Sequence, residues 1–150
     1  LIARMLSEDS WESPPVRSVY LAGPIDINPG DPASKKYVRN ILERLGLVVY
    51  DPERAFRSEE NGDISPLKWP DLMTDLVCRT AIKYSDILVA IIPKNSIPFG
   101  TIREIEYARA QGKQVLLYHE VPGQSAFHHD LTRFHDLDQL INYVKDLAKV

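Results

Sequence analysis

The sequence predicts a doubly wound α/β sandwich, and three observations carry that reading. Strand-like and helix-like segments alternate from one end of the chain to the other, the order that builds a parallel sheet covered by helices on both sides. The strongest strand segment, Asp86-Ile87-Leu88-Val89-Ala90-Ile91-Ile92, is apolar without alternation after Asp86, as a parallel strand buried on both faces must be. The 150 residues, 44% apolar and 26% charged, suffice for one core of ordinary size.

Residues 1–14 carry no sustained pattern and are expected to form a flexible tail, leaving residues 15–150 as a single domain. The stretch of residues 16–22, apolar but for Arg17 and Ser18, stops at Gly23-Pro24, which predicts a short buried strand ended by a turn. Asp31-Pro32 offers an N-cap with proline in the first helical position. Tyr37, Val38, Ile41, Leu42 and Leu45 then share one face, and Gly46 closes the helix. Leu47-Val48-Val49-Tyr50 reads as a second strand, ended by Asp51-Pro52. Residues 53–68 are charged and aperiodic, a long loop of the kind that carries function. Residues 70–84 return to helical spacing through Leu72, Met73, Leu76, Val77 and Ala81. The central strand, residues 86–92, ends at Pro93; a Pro-Phe-Gly turn follows, and Thr101 is placed to cap a helix running to Gln111. Residues 115–118 form a fourth strand, residues 132–135 a short fifth, and Leu137, Leu140, Ile141, Val144 and Leu147 mark a closing helix. The whole is a Rossmann/flavodoxin-like sandwich with a mainly parallel sheet of four to five strands.

Composition excludes several function classes. A net charge of −3 and a pI near 5.8 argue against a polymeric nucleic-acid partner, which needs a basic face; a small anionic substrate stays compatible with a local pocket. Cys78 is the single cysteine, so no internal disulfide forms and a reducing, cytoplasmic setting is expected. No apolar run approaches the roughly 18 residues of a membrane span. The first residues lack a long apolar segment and a cleavage site, so no signal peptide is expected.

Ligands of such sheets lie outside the carboxyl ends of the strands, which directs attention to residues 20–30, 51–68, 93–104 and 118–129. The Gly23-Pro24 turn lacks the spacing of a dinucleotide or P-loop motif, and no G-x-S-x-G elbow occurs. No cofactor is expected. His128-His129-Asp130 lacks the same-face spacing of a helical metal site and reads as solvated or structural, so no metal is assigned. Glu104, just past the central strand in a helix opened by Gly100-Thr101, stands out. Thr101 and Glu104 also have capping-box spacing, so a simple helix start remains a second reading.

Three segments carry a family resemblance: Val19-Tyr20-Leu21-Ala22-Gly23-Pro24-Ile25, then Ser85-Asp86-Ile87-Leu88-Val89-Ala90, then Gly100-Thr101-Ile102-Arg103-Glu104-Ile105-Glu106-Tyr107-Ala108 with Gly112-Lys113. In order and spacing the chain resembles the nucleoside 2-deoxyribosyltransferases and the related N-glycoside hydrolases of 2'-deoxynucleoside 5'-phosphates and CMP. The resemblance implies an enzyme in which Glu104 attacks the anomeric carbon and the sugar then passes to water or to another base. Tyr20 matches the family tyrosine near the nucleophile. The chemistry is coherent, because an oxocarbenium-like centre is stabilised and captured by a carboxylate.

Two positions depart from the family pattern. Eight residues before Asp86, where the family has the aspartate that serves the leaving base, this chain has Cys78; Asp75, one turn earlier, is positioned to take over or else to pair with Arg79. Asp86 itself reads as structural. Six residues before Glu104, in place of an acid or a serine, stands Pro98, with Ser96 nearby. The substrate-binding set is therefore expected among Gly23, Pro24, Ile25, Asp26, Ser96, Pro98, Gly100, Thr101 and Arg103. The substrate is a small nucleoside or nucleotide, with a lean to the 5'-monophosphate because Pro98 cannot make the carboxylate contact to a sugar hydroxyl and the turn after the first strand offers backbone amides to an anion. A homo-oligomer is implied by resemblance. A free-nucleoside transferase, a non-catalytic nucleotide sensor and an interaction domain remain as alternatives.

Overall fold

The computed structural model describes residues 13–23, 33–52, 54, 59–60, 63–64, 71–93, 99–119 and 131–150. Strands β1 (Ser18–Ala22), β2 (Val48–Tyr50), β5 (Ile87–Ile92), β6 (Gln114–His119) and β7 (Thr132–Phe134) form one sheet, with β3 (Glu59–Glu60) and β4 (Asp63–Ile64) in a separate antiparallel pair. The helices are α1 (Ala33–Arg44), α2 (Asp71–Tyr84), α3 (Phe99–Ala110) and α4 (Leu137–Ala148). All pairings in the main sheet are parallel and its order is β2-β1-β5-β6-β7.

Period-two alternation along each strand sorts the core into two layers. Val19, Leu21, Val49, Val89, Ile91 and Leu116 face Val38 and Leu42 of α1 and Leu140 and Val144 of α4. Tyr20, Ala22, Leu88, Ala90 and Leu117 face Cys78 and Ile82 of α2 and Ile105 and Ala108 of α3. Both faces of the sheet are thus covered, which explains why β5 is apolar at every position.

The predicted helix ends hold at Gly46 and Gly112, with φ of 88° and 73°. Each follows its helix with paired reverse bonds, Leu47 N to Leu42 O at 3.2 Å and Lys113 N to Ala108 O at 2.9 Å, the geometry that satisfies the last helical carbonyls. Asp136 caps α4 through Asp138 N and Gln139 N, at 2.8 and 3.2 Å.

Two expectations are corrected. Residues 53–68 are not wholly loop, since the β3–β4 pair lies within them; two-residue strands are too short to leave a periodic signal. Helix α3 begins at Phe99, so Thr101 is not its N-cap. Its hydroxyl is buried without a regular hydrogen-bond partner among the described residues, and the capping-box reading of Thr101 and Glu104 fails. The cap and turn signals Asp31-Pro32 and Pro98 lie outside the described residues.

Asp86 sits at the amino ends of β1 and β5. Its carboxylate accepts from Arg17 N at 2.7 Å and Ser18 N at 3.0 Å, and its own amide donates to Ser18 Oγ at 3.0 Å. Burial alone would raise its carboxyl, but these amides and the Ser18 hydroxyl hold it below the ordinary carboxylate range. It joins two strands at the end of the sheet opposite the ligand crevice, in keeping with a structural role.

Candidate active site

In an open α/β sheet the ligand crevice lies where the strand order reverses. Here the chain moves outward from β1 to β2, then crosses back to β5 and continues the other way, so the reversal falls between β1 and β5. Gly23 follows β1 at that point. A Cβ on it would stand 3.1 Å from the Ile91 carbonyl oxygen and 3.2 Å from Lys35 Cδ, so any side chain would have to displace β5 or Lys35. The glycine of the first motif is thus explained by close packing at the crevice.

Helix α3 leaves β5 and presents Glu104 beside β1 and α2. The residue is partly exposed, yet Oε2 is sealed from solvent and makes no regular hydrogen bond among the described residues. Burial pushes the carboxyl up from 4.5 to about 7; Tyr20 and Lys35 oppose that rise, and the charges of Asp51 and Asp75 add to it.

Besides the charged Lys35, Asp51 and Asp75, three neutral side chains stand near the carboxylate: Tyr20, Tyr50 and Cys78. Tyr20 is fully buried at β1 and stacks on Tyr50 of β2, ring centroids 5.6 Å apart and planes 18° from parallel. The register that pairs Tyr20 with Tyr50 in adjacent parallel strands produces this stack. The Tyr20 hydroxyl lies within electrostatic reach of Glu104 and Cys78 but aligns with neither as a regular hydrogen bond. Burial first, then the Glu104 charge and Cys78, raises its pKa so far that it keeps its proton at any working pH. Burial, with Cys78 and Glu104, raises Tyr50 in the same direction. Burial, reinforced by Glu104 and Asp75, pushes the Cys78 thiol up to about 11 against the opposing effect of Tyr20 and Lys35. Cys78 is therefore a neutral thiol near neutral pH and no substitute for a carboxylic acid.

Asp75 meets Arg79 Nε at 3.1 Å, the i+4 pair that the sequence allowed, and also Arg103 at 3.5 Å. The Arg79 guanidinium lies 5.3 Å from the centroid of the Tyr107 ring. Asp75 is thus both ion-paired and close enough to raise Glu104 and Cys78. The structure brings Tyr20, Gly23, Asp75 and Glu104 to one region, with Thr101 one turn before Glu104. Gly100 is exposed, with open space where a side chain would be, and Arg103 is largely exposed. Pro24, Ile25, Asp26, Ser96 and Pro98 lie outside the described residues, as do His128, His129 and Asp130. Among the described residues no cluster of His, Cys, Asp or Glu could hold a metal ion, and no helix is long and apolar enough to cross a membrane.

Sequence reasoning missed Tyr50 and a buried ionic group. Lys35 and Asp51 are shielded from solvent and pair at 3.0 Å; Arg39 adds a second contact to Asp51 at 2.6 Å. The available signal was a lysine on the apolar face of a helix, at 35 beside 38 and 42, followed by an aspartate just past the next strand.

The nucleoside 2-deoxyribosyltransferase family model matches residues 19–141. The chain belongs to this family. It is accordingly an enzyme of the nucleoside 2-deoxyribosyltransferase family. Similar solved structures include the 2-deoxyribosyltransferase of Bacillus psychrosaccharolyticus, 24% identical over 84% of this chain and 91% of that one, with a TM-score of 0.67. A conserved protein from Enterococcus faecalis V583 is 18% identical over 87% and 98%, also with a TM-score of 0.67. The CMP N-glycosidase of Clostridium botulinum is 22% identical over 86% and 98%, with a TM-score of 0.56. At these identities the structures attest the shared fold. No curated protein matches the sequence.

Proposed function

We propose that this deoxyribosyltransferase-family enzyme cleaves the N-glycosidic bond of a nucleoside 5'-monophosphate through a glycosyl-Glu104 intermediate. The observation that carries the reading is the half-sealed Glu104 carboxylate beside Tyr20 at the β1–β5 reversal. In the first step a Glu104 oxygen bonds to the anomeric carbon while the carbon–nitrogen bond breaks, and its electron pair leaves with the base. Asp75, ion-paired with Arg79 and Arg103, passes the departing base a proton drawn from solvent. In the second step water or another base attacks the same carbon and Glu104 departs as carboxylate. Tyr20 retains its proton and serves as a donor to the nucleophile, holding one oxygen while the other reacts.

The lean to a 5'-monophosphate rests on Pro98, which supplies no carboxylate for a sugar hydroxyl, and on the sequence after Gly23, which predicts a turn with backbone amides for an anion. Incubation with paired nucleosides and 5'-monophosphates, with and without an acceptor base, tests both parts by product mass. A phosphate recognised by two or three charge-assisted bonds should favour the nucleotide by at least about tenfold in kcat/KM. Equal or better use of the free nucleoside would replace this reading with a free-nucleoside transferase.

A further inference from the structure

The Tyr20 hydroxyl makes no regular hydrogen bond among the described residues, so packing of the ring decides where that hydroxyl stands. On the β5 side its partner in register is Leu88, a member of the same buried cluster. On the β2 side its partner is Tyr50, half-buried and stacked on it with centroids 5.6 Å apart and planes 18° from parallel. A leucine offers a curved surface, whereas a tyrosine offers a flat one, and aromatic pairs favour a defined mutual geometry. The orientation of the Tyr20 ring is therefore set chiefly from β2.

A three-residue strand at the edge of the sheet would by itself be a loose mount, because few contacts hold it. The end of β2 is instead tied to α1 on both sides of Tyr50. Arg54 donates to the Val49 carbonyl at 3.0 Å and pairs with Glu43 at 2.6 Å. Asp51 is held by Lys35 at 3.0 Å and by Arg39 at 2.6 Å. Successive residues of an extended chain point to opposite faces, so Asp51 meets α1 while the Tyr50 ring packs with Tyr20 under α2 and α3.

We infer that Tyr50 is a positioning residue for Tyr20: its ring, mounted on the anchored end of β2, stacks on the Tyr20 ring and keeps the Tyr20 hydroxyl at the crevice, on the face of the sheet that carries α3. The catalytic consequence rests on the reading of Tyr20 as donor to Glu104, whereas the hold on the Tyr20 ring exists without turnover. The hold needs a flat ring at position 50 and not the phenol oxygen.

The test pairs turnover with the motion of the Tyr20 ring. Tyr50→Leu should lower kcat about tenfold and leave KM within about twofold, and Tyr50→Phe, which keeps the flat ring, should restore kcat to within about twofold of wild type. In a Tyr20→Phe background no hydroxyl remains to be placed, so adding Tyr50→Leu should cost less than about twofold more, the non-additivity of residues that act through one another. Turnover is read on whichever nucleoside or 5'-monophosphate the wild type uses best. In parallel, NMR of the whole chain with ring-labelled tyrosine, assigned through Tyr20→Phe, measures how fast the two edges of the Tyr20 ring exchange. The rate should be alike in wild type and Tyr50→Phe and at least about tenfold faster in Tyr50→Leu. If Tyr50→Leu does not fold, Tyr50→Met, which has similar bulk and no flat face, takes its place. An unchanged exchange rate would overturn the inference. So would a kcat loss as large in the Tyr20→Phe background as in wild type, a Tyr50→Phe enzyme as slow as Tyr50→Leu, or an effect confined to KM. Wild-type kcat in Tyr50→Leu, when Tyr20→Phe is slow, overturns it equally. Should Tyr20→Phe alone leave kcat unchanged, the role assigned to Tyr20 fails instead, and the ring exchange decides the inference by itself.

Discussion

Replacing Glu104 by glutamine should make the protein more stable in alkali while removing its activity. The carboxyl titrates near 7 in the fold instead of 4.5, so between those values the unfolded chain has released a proton that the folded chain still holds. Stability then falls as pH rises through this window. The difference of about 2.5 pH units, at about 1.36 kcal/mol each, comes to about 3 kcal/mol of strain carried by the ionised carboxylate above pH 7, most of it appearing between pH 5 and 8. Glutamine has nearly the same shape and no charge, and it escapes that penalty. Urea unfolding followed by far-ultraviolet circular dichroism at pH 5 and pH 8.5 checks this. The variant should lie within about 1 kcal/mol of wild type at pH 5 and be more stable by about 3 kcal/mol at pH 8.5. An equal difference at both pH values, or a variant less stable at pH 8.5, would refute the claim that burial of this charge dominates its environment.

The same titration governs rate: if the nucleophile must be ionised, kcat/KM should rise with pH to a plateau above about 7 and fall about a hundredfold by pH 5, and a flat profile from pH 5 to 8 would count against it. Asp75→Asn should slow poor leaving bases most and well-activated bases least, measured as kcat/KM across a series of bases; an equal effect on all would assign Asp75 to its Arg79 and Arg103 contacts alone. Asp86→Asn should leave kcat/KM unchanged and cost about 1 kcal/mol in thermal unfolding, discounted for its exposure, because it weakens the joint between β1 and β5 without touching the crevice.

Much of the fold could be read directly. The uninterrupted apolarity of residues 87–92 announced a strand covered on both faces, and Gly46 and Gly112 marked helix ends that the structure closes with reverse bonds. The β3–β4 pair was invisible because two residues per strand cannot display a period. The start of α3 was misjudged because Thr101 and Glu104 have the right spacing for a cap, while the chain already turns at Phe99 and buries the threonine hydroxyl. Glu104, Tyr20 and Asp75 were singled out by spacing against a family pattern, and the structure brings them to one region. Lys35, Asp51 and Tyr50 were not, because their roles depend on contacts between β1, β2 and α1 that local pattern does not encode. A lysine in a helix is ordinarily solvated, and only the three-dimensional clamp by Asp51 and the close approach to Gly23 show that this one is not.

The central claim, a covalent sugar on Glu104, is tested most directly by trapping it. A 2'-fluoro-substituted 5'-nucleotide slows formation and breakdown of a glycosyl ester by withdrawing electrons from the oxocarbenium-like centre, and the stalled enzyme can be digested and weighed. Trypsin should release residues 104–109 with the added mass of one fluorinated sugar phosphate, and fragmentation should place it on Glu104 rather than Glu106. A protein that turns over substrate yet carries the adduct elsewhere, or that stays active as Glu104→Gln, would contradict the account.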